Sequence, residues 1–277
     1  MIDLHMHTTA SDGRCTPPEL VARAAAAGVR VMSVTDHDTL AGCAAAADAC
    51  RAAGLTFVRG IEITSIRDGV DVHVLGYFLD ADAPALQAFL AEQRQLRFDR
   101  VRAMLDRLAT LGIALDAGAV LQPGLDDRAR SVGRPWIARA LVAGGYVATT
   151  SEAFDRWLAR GRPAFVPRVG ADPADVFARI HAAGGLASLA HPGLVGRDEW
   201  ISGFVRDGAD AIEAYHVDHD SGATRRYLTL ADRLGVAVSG GSDYHGDPSH
   251  GSAGPGSVEL PADAFARLEA RARERRG

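Results

Sequence analysis

The stretch that decides the fold is Asp3-Leu4-His5-Met6-His7-Thr8-Thr9-Ala10-Ser11-Asp12-Gly13, "DLHMHTTASDG". Alternate side chains share one face of a strand, so His5 and His7 point one way and Leu4 and Met6 the other. Two imidazoles spaced roughly 7 Å along a strand can chelate one cation. An isolated HxH is equally consistent with two solvated strand histidines. Partners elsewhere in the chain decide between these readings.

Short apolar runs recur downstream, and each ends in candidate ligands. His37 follows "VRVMSVT" in "SVTDHDTL", Glu62 closes "TFVRGIEIT", and His73 lies in "VDVHVLGYF". His191 ends "GLASLAH", while Asp243 and His245 follow "VAVSGGSD". With "IDLHMH" and "ADAIEAYH", these make seven strands separated by alanine-rich helical patterns, the signature of repeated βα units and a largely parallel sheet. His5, His7, Asp12, His37, Glu62, His73, His191, Asp243 and His245 then stand at or just beyond the C-terminal strand ends, where βα barrels build active sites. One strand-end histidine has a dull explanation, and a strand-end aspartate is often a helix cap. Asp36 and Asp38 are read as such caps, or as carboxylates that orient His37. The joint pattern across the strands is harder to dismiss. His181, in a helix pattern, and His250, in a glycine-rich loop, lack the placement and read as structural.

Helix punctuation agrees with this frame. "PPELVARAAAAG" has Pro17 and Pro18 near its start and Gly28 past its end, the usual placing of both residues. From about residue 83 to 167 the rhythm breaks into helical patterns with no convincing strand. The expected architecture is therefore an α/β barrel over 1–82 and 168–277, with a small helical subdomain inserted at 83–167.

Composition sets the outer limits. The chain has 277 residues, 47% of them hydrophobic and 23% charged, which suits one globular domain of barrel size with a modest insertion. A formal charge of -5 argues against a general nucleic-acid coat protein, though not against a local basic pocket. No apolar run reaches membrane-spanning length, no signal peptide is evident, and the expected location is the cytoplasm. Cys15, Cys43 and Cys50 form no CxxC pair and read as buried thiols. All 30 basic residues are arginine, so Schiff-base and P-loop lysine chemistry are both excluded.

Six histidines and three carboxylates exceed one structural zinc. Mixed nitrogen and oxygen donors suit Mn²⁺, Zn²⁺ or Fe²⁺, two or three of them, and point to metal-assisted hydrolysis. In order, "DLHMHTTASDG", "VTDHD", "GIE", "HVLGY", "AHP" and "GSDYH" resemble the motifs of the polymerase and histidinol phosphatase (PHP) family of the amidohydrolase superfamily. The resemblance implies a distorted (β/α)7 TIM-like barrel with a trinuclear metal centre, manganese being the expected ion. It implies that His5, His7, Glu62 and Asp243 hold the first metal. Glu62 then bridges to a second, bound also by His73 and His191, and Asp12, His37 and His245 hold the third. Asp12, His37, His191 and His245 are read as catalytic as well as ligating.

Within the family, the insertion and "SVGRPWIARAL" resemble a bacterial subgroup of stand-alone phosphoesterases. These act on nucleotide 3′,5′-bisphosphates or on the 5′ ends of short RNA. The implied reaction removes the 3′-phosphate of adenosine 3′,5′-bisphosphate through a metal-bridged hydroxide, leaving AMP. The residues agree: Ser131 and Arg134 approach a helix start marked by Pro135, where free N–H groups favour an anion. Arg134 adds a bidentate grip on phosphate, and Arg97 and Arg100 can join from one face of the preceding helix. Solvated arginines are the plain alternative. His216 and His219 are candidates for the pocket rim. A 5′-to-3′ exonuclease on short RNA or DNA would use the same metals, with an aromatic and basic track drawn from Phe98, Trp136 and Phe154. Histidinol phosphate hydrolysis is disfavoured by the insertion, and a non-catalytic metal module by the complete ligand set. No obligate protein partner is expected.

Overall fold

A computed structural model of the chain describes residues 1–247 and 254–276; His250 lies outside them. The described residues form seven strands: β1 (Ile2–Asp3), β2 (Val31–Val34), β3 (Thr56–Arg67), β4 (Val70–Tyr77), β5 (Leu186–Leu189), β6 (Ala211–His216) and β7 (Ala237–Gly241). They lie side by side in chain order. The extended chain after β1 closes the ring, since the Leu4 and His7 N–H groups donate to the Gly240 and Tyr244 carbonyls at 3.2 and 2.9 Å. Gly241 permits that seam: a Cβ there would stand 2.3 Å from the His5 nitrogen.

Helices cover the barrel: α1 (Pro17–Ala26), α2 (Cys43–Ala53), α7 (Pro173–Ala182), α8 (Pro192–Val195), α9 (Asp198–Asp207), α10 (Ser221–Leu234) and α11 (Ala262–Arg276). Between β4 and α7 come α3 (Pro84–Thr110), α4 (Ala117–Asp126), α5 (Arg134–Ala143) and α6 (Thr150–Ala153), the last running into a π-helical turn over Phe154–Leu158. Local chemistry sets the starts. Thr16 and Glu19 make a capping box on α1, with Pro17 at its first position, and Asp172 caps α7 by accepting from Ala174 N–H at 3.0 Å. Val176, Phe177 and Ile180 of α7 are fully buried against the sheet, each worth about 1.5–3 kcal/mol of burial.

The sheet is largely parallel, as expected, with β1–β2, β2–β3, β5–β6 and β6–β7 all paired parallel, and one strand is reversed. β4 runs antiparallel to both β3 and β5. Asp68 and Gly69 both take positive φ (51° and 71°) between β3 and β4, the two-residue turn of a tight hairpin, and so short a link can only return the chain antiparallel. Glu62 and His73 consequently sit in mid-strand rather than at C-terminal ends, and the hairpin tip extends past them.

The inserted helices carry their own apolar cluster, including Val101, Met104, Leu108, Ile137, Leu141 and Leu158. α3 belongs to two cores: Leu86, Phe89 and Leu90 pack into the barrel, and Phe98 to Leu108 into the inserted cluster. Gln93 and Arg97 are buried between them, and Arg100 is buried just past Phe98. Among the described residues, no helix is long and apolar enough to cross a membrane.

Candidate metal centre and substrate cleft

All nine sequence-selected ligands converge at one end of the barrel. Glu62 lies at the centre: its Oε1 is 2.7 Å from His73 Nδ1 and 3.0 Å from His191 Nε2. Its Oε2 is 3.0 Å from His37 Nδ1 and 3.4 Å from His7 Nε2. Asp243 Oδ1 lies 3.2 and 3.1 Å from Nε2 of His5 and His7. Asp12 reaches His245 Nε2 at 3.3 Å and His37 Nε2 at 3.5 Å. His7 is stacked on His245, ring centres 4.0 Å apart, so it stands between the two sides of the cluster. His191 and Asp243 both take positive φ (24° and 51°), backbone strain of the kind concentrated at functional sites.

Glu62 Oε1 hydrogen-bonds to His73 and His191, but other close contacts are not hydrogen bonds. Nε2 of His5 and of His7, Nδ1 of His37 and Oδ1 of Asp243 are buried with no hydrogen-bond partner, a costly state for polar atoms unless a cation receives them. Four groups of donors fall within 4.8 Å of one another: His7, Asp12, His37 and His245; His37, Glu62 and His73; His5, Glu62 and His191; His5, His216 and Asp243. The residues thus fit divalent ions, and nitrogen with carboxylate oxygen suits first-row transition metals.

The electrostatics agree. Burial alone would raise the carboxyls of Asp12, Glu62 and Asp243. The surrounding imidazoles override it, and all three lie well below the usual carboxylate range. Burial likewise opposes a charge on His245, but Asp12 and Asp243 hold it up to about 10. His37 goes the other way, to about 4, because burial outweighs its carboxylate neighbours.

A surrounding set of hydrogen bonds fixes the rings. Glu213, buried in mid-β6, accepts from His5 Nδ1 at 2.9 Å and from the His191 N–H at 2.7 Å. His245 Nδ1 donates to the Asp243 carbonyl at 2.8 Å. The bonds from His5 and His245 put a ring proton on Nδ1 and turn Nε2 toward the cluster, whereas the His191 bond is made by its main-chain N–H and fixes the backbone. The Asp218 N–H donates to His216 Nδ1, so the His216 proton is on Nε2, directed at Asp243 Oδ2 at 3.3 Å. His216 therefore steadies Asp243. His219 spends both nitrogens on the Ala214 carbonyl and Gly193 N–H and holds β6 to α8. Asp36 and Asp38 do not orient His37. Asp36 accepts from Thr8 N–H, Thr8 Oγ1 and Ser11 Oγ, and Asp38 from Thr64 N–H and Arg97 Nε.

Beside this imidazole-carboxylate cluster opens a cleft of roughly 300 Å³, at the small end for ligand sites. Asp12, His37, Glu62, His73, His191, Asp243 and His245 line it, with Arg97, Arg134, Arg168, Phe154 and Leu194. Arg97 also donates to Thr64 Oγ1 at 2.9 Å. Arg134 lies 5.6 Å over the Phe154 ring and 3.9 Å from Asp71 Oδ2, while Arg168 Nε is 3.4 Å from the same oxygen. Arg100 stands behind this wall, its Nε on the Val166 carbonyl at 2.8 Å and its Nη2 without a partner. Burial, then mutual repulsion, lowers Arg168 to about 10 and Arg100 to about 9. Four guanidiniums thus share two carboxylates, Asp38 and Asp71. Ser131 is buried away from the lining, its N–H on the Ala10 carbonyl at 2.9 Å.

Sequence reasoning passed over Glu213, Arg168 and Asp71. The first had a signal, a lone acid inside the apolar strand "AIEAYH". The other two had none, because only the fold brings the hairpin tip and residue 168 together.

The barrel, the imidazole-carboxylate cluster and the arginine wall together define a phosphate-ester hydrolase that works with bound metal. The chain belongs to the PHP family. The family's model, described as the PHP domain, matches residues 3–120. The chain is 36% identical to the 5'-3' exoribonuclease of Haemophilus influenzae, covering 88% of this chain and 89% of that one. It is 35% identical to the 3',5'-nucleoside bisphosphate phosphatase of Chromobacterium violaceum, over 93% and 91% of the two. A chain from Bifidobacterium adolescentis, described as a metal-dependent phosphoesterase, superposes with a TM-score of 0.89 at 32% identity, over 97% and 95% of the two chains.

Proposed function

We propose that the protein removes the 3′-phosphate from nucleotide 3′,5′-bisphosphates, turning adenosine 3′,5′-bisphosphate into AMP and phosphate. The observation that carries this reading is the pairing of a metal-ligating floor with an arginine wall across one small cleft. A substrate with two phosphates satisfies both surfaces, and a dianionic group offsets the two guanidinium charges that Asp38 and Asp71 leave unmatched. The likeness to a bisphosphate phosphatase over nearly the whole chain supports it.

In this reading His5, His7, Glu62 and Asp243 hold a first ion, Glu62, His73 and His191 a second, and Asp12, His37 and His245 a third, with Mn²⁺ the favoured metal. Bound divalent ions supply an activated water and polarise a phosphoryl oxygen. Asp12, His37, His191 and His245 face the cleft and surround the scissile 3′-phosphate. Arg134 and Arg97 take the 5′-phosphate, and the rigid Asp38–Arg97–Thr64 contacts hold that grip in place before substrate arrives. Phe154 offers a face to ribose or base. The helices of 83–167 act as the substrate cap.

A second reading is 5′-to-3′ cleavage of short oligonucleotides. One observation favours it: a separate cleft of roughly 330 Å³ on the insertion is lined by Arg94, Arg128, Arg130 and Phe98, a basic surface with an aromatic member. Phosphate release with added Mn²⁺ separates these readings, comparing adenosine 3′,5′-bisphosphate, AMP, histidinol phosphate and a 5′-phosphorylated dinucleotide. Preferential release from the bisphosphate is expected. Turnover of the dinucleotide alone, or of histidinol phosphate alone, would overturn the proposal.

A further inference from the structure

The loop that carries Asp12 is held from the insertion as much as from the barrel. Four consecutive carbonyls, those of residues 9 to 12, each accept from the segment around the start of α5. Arg130 donates to the Thr9 carbonyl through Nε at 3.0 Å and Nη2 at 2.7 Å. The Ser131 N–H donates to Ala10 at 2.9 Å, Trp136 Nε1 to Ser11 at 3.0 Å and Arg139 Nη1 to Asp12 at 3.0 Å. The Trp136 ring lies within 5.2 Å of the Arg130 guanidinium and 5.7 Å of the Arg139 guanidinium, so the three side chains brace one another. The barrel grips the same loop through Asp36, which accepts from Thr8 and Ser11, and the loop turns on itself through Ser11 and Gly13 N–H groups on the Thr8 carbonyl and Thr9 N–H on the Cys15 carbonyl. Gly13 is needed for that return, since a Cβ would lie 2.4 Å from the His7 carbonyl oxygen.

Asp12 is the sole carboxylate in the group with His7, His37 and His245. The internal bonds of the loop end on the Thr8 and Cys15 carbonyls, and the carbonyls of residues 9 to 12 accept from the segment around α5, so that segment helps to set the position of the carboxylate. We infer that Trp136 and Arg139 are positioning residues for the metal held by Asp12, His37 and His245, so that the inserted helices complete one metal site of the barrel. Trp136 and Arg139 touch neither metal nor substrate. They fix the Ser11 and Asp12 peptides, and through them the reach of the Asp12 carboxylate to the two imidazoles. Arg134, one turn earlier on the same helix, lines the substrate cleft, so one short helix serves both the substrate wall and the metal floor.

The inference rests on the reading of that donor group as a metal site, and the experiment separates the two. Mn²⁺ content and affinity are measured on chelator-stripped, re-titrated protein for the native chain and for Asp12→Ala, Trp136→Phe and Arg139→Met. Trp136→Phe keeps the ring and loses only the N–H. Asp12→Ala should lose one ion. Trp136→Phe and Arg139→Met should bind that ion 10–100-fold more weakly and the others unchanged. Their kcat should fall at limiting Mn²⁺ and recover at excess, with KM steady. Full metal content in Asp12→Ala would refute the site itself. Loss in Asp12→Ala with native affinity in both other variants would refute the clamp alone, as would equal weakening of every ion.

Discussion

Two histidine-carboxylate clusters stand at opposite ends of this barrel, and they differ in what their atoms lack. At the end away from the cleft, Asp210 precedes β6. Its Oδ2 accepts from His181 Nε2 at 2.8 Å and Ala187 N–H at 3.0 Å, and its Oδ1 accepts from Arg275. Every oxygen is satisfied and an arginine balances the charge. At the cleft, ring nitrogens and an Asp243 oxygen have no partner, and imidazoles are the nearest counter-charges of the carboxylates. Residue type does not separate a strut from a metal cradle. Unmet bonding capacity does.

That contrast can be broken most severely at the cleft. Asp243→Ala or His7→Ala should cut phosphate release by roughly 10³-fold, a loss of about 4 kcal/mol of transition-state stabilisation, with metal content falling alongside; chelation should do the same to the native protein. Glu213→Gln keeps shape but weakens the hold on His5, and metal affinity should drop roughly 10–100-fold by titration. Arg134→Ala should raise KM for the bisphosphate by roughly 10–100-fold, as for a lost charge-assisted contact, and leave a simple phosphomonoester unaffected. Equal effects on both substrates would remove Arg134 from the 5′-phosphate.

The smallest effect belongs to the opposite end. Asp210→Asn should leave turnover intact and cost about 1–3 kcal/mol of stability near neutral pH, read by thermal unfolding. The Asp210 carboxyl lies below its ordinary range: burial works to raise it, and the His181 and Ala187 bonds outweigh that. A depressed acid stabilises the fold fully above its unfolded value, about pH 4, and the benefit disappears as pH falls through the lower folded value. The gap between native and variant proteins should therefore narrow in acid. A constant gap would show that the charge on Asp210 is not what the cluster uses.

The contrast also explains what could be read from the chain alone. Strand alternation and strand-end placement picked out His5, His7, His37, His191, Asp243 and His245, which depend on local direction only, whereas Glu62 and His73, expected at strand ends, lie in mid-strand. The reversal of β4 was legible in Asp68-Gly69, a strong hairpin signal, yet the βα rhythm around it argued for parallel strands. Asp36 and Asp38 look like neighbours that orient His37 in sequence, but their carboxylates turn to the 8–11 loop and to Arg97. Only the closing of the barrel decides that. Arg168, between two prolines of an irregular segment, gives no pattern to read.

α3 is one helix of 27 residues, roughly 40 Å long, whose two halves lie in different cores. The boundary between barrel and insertion therefore falls inside a continuous rod and not at a linker. Excision at residues 83 and 167 would strip Leu86, Phe89 and Leu90 from the barrel as well, exposing apolar surface that no loop could cover. Swapping these helices for others is a grafting problem at mid-helix, with a seam near Gln93, where the buried surface turns polar.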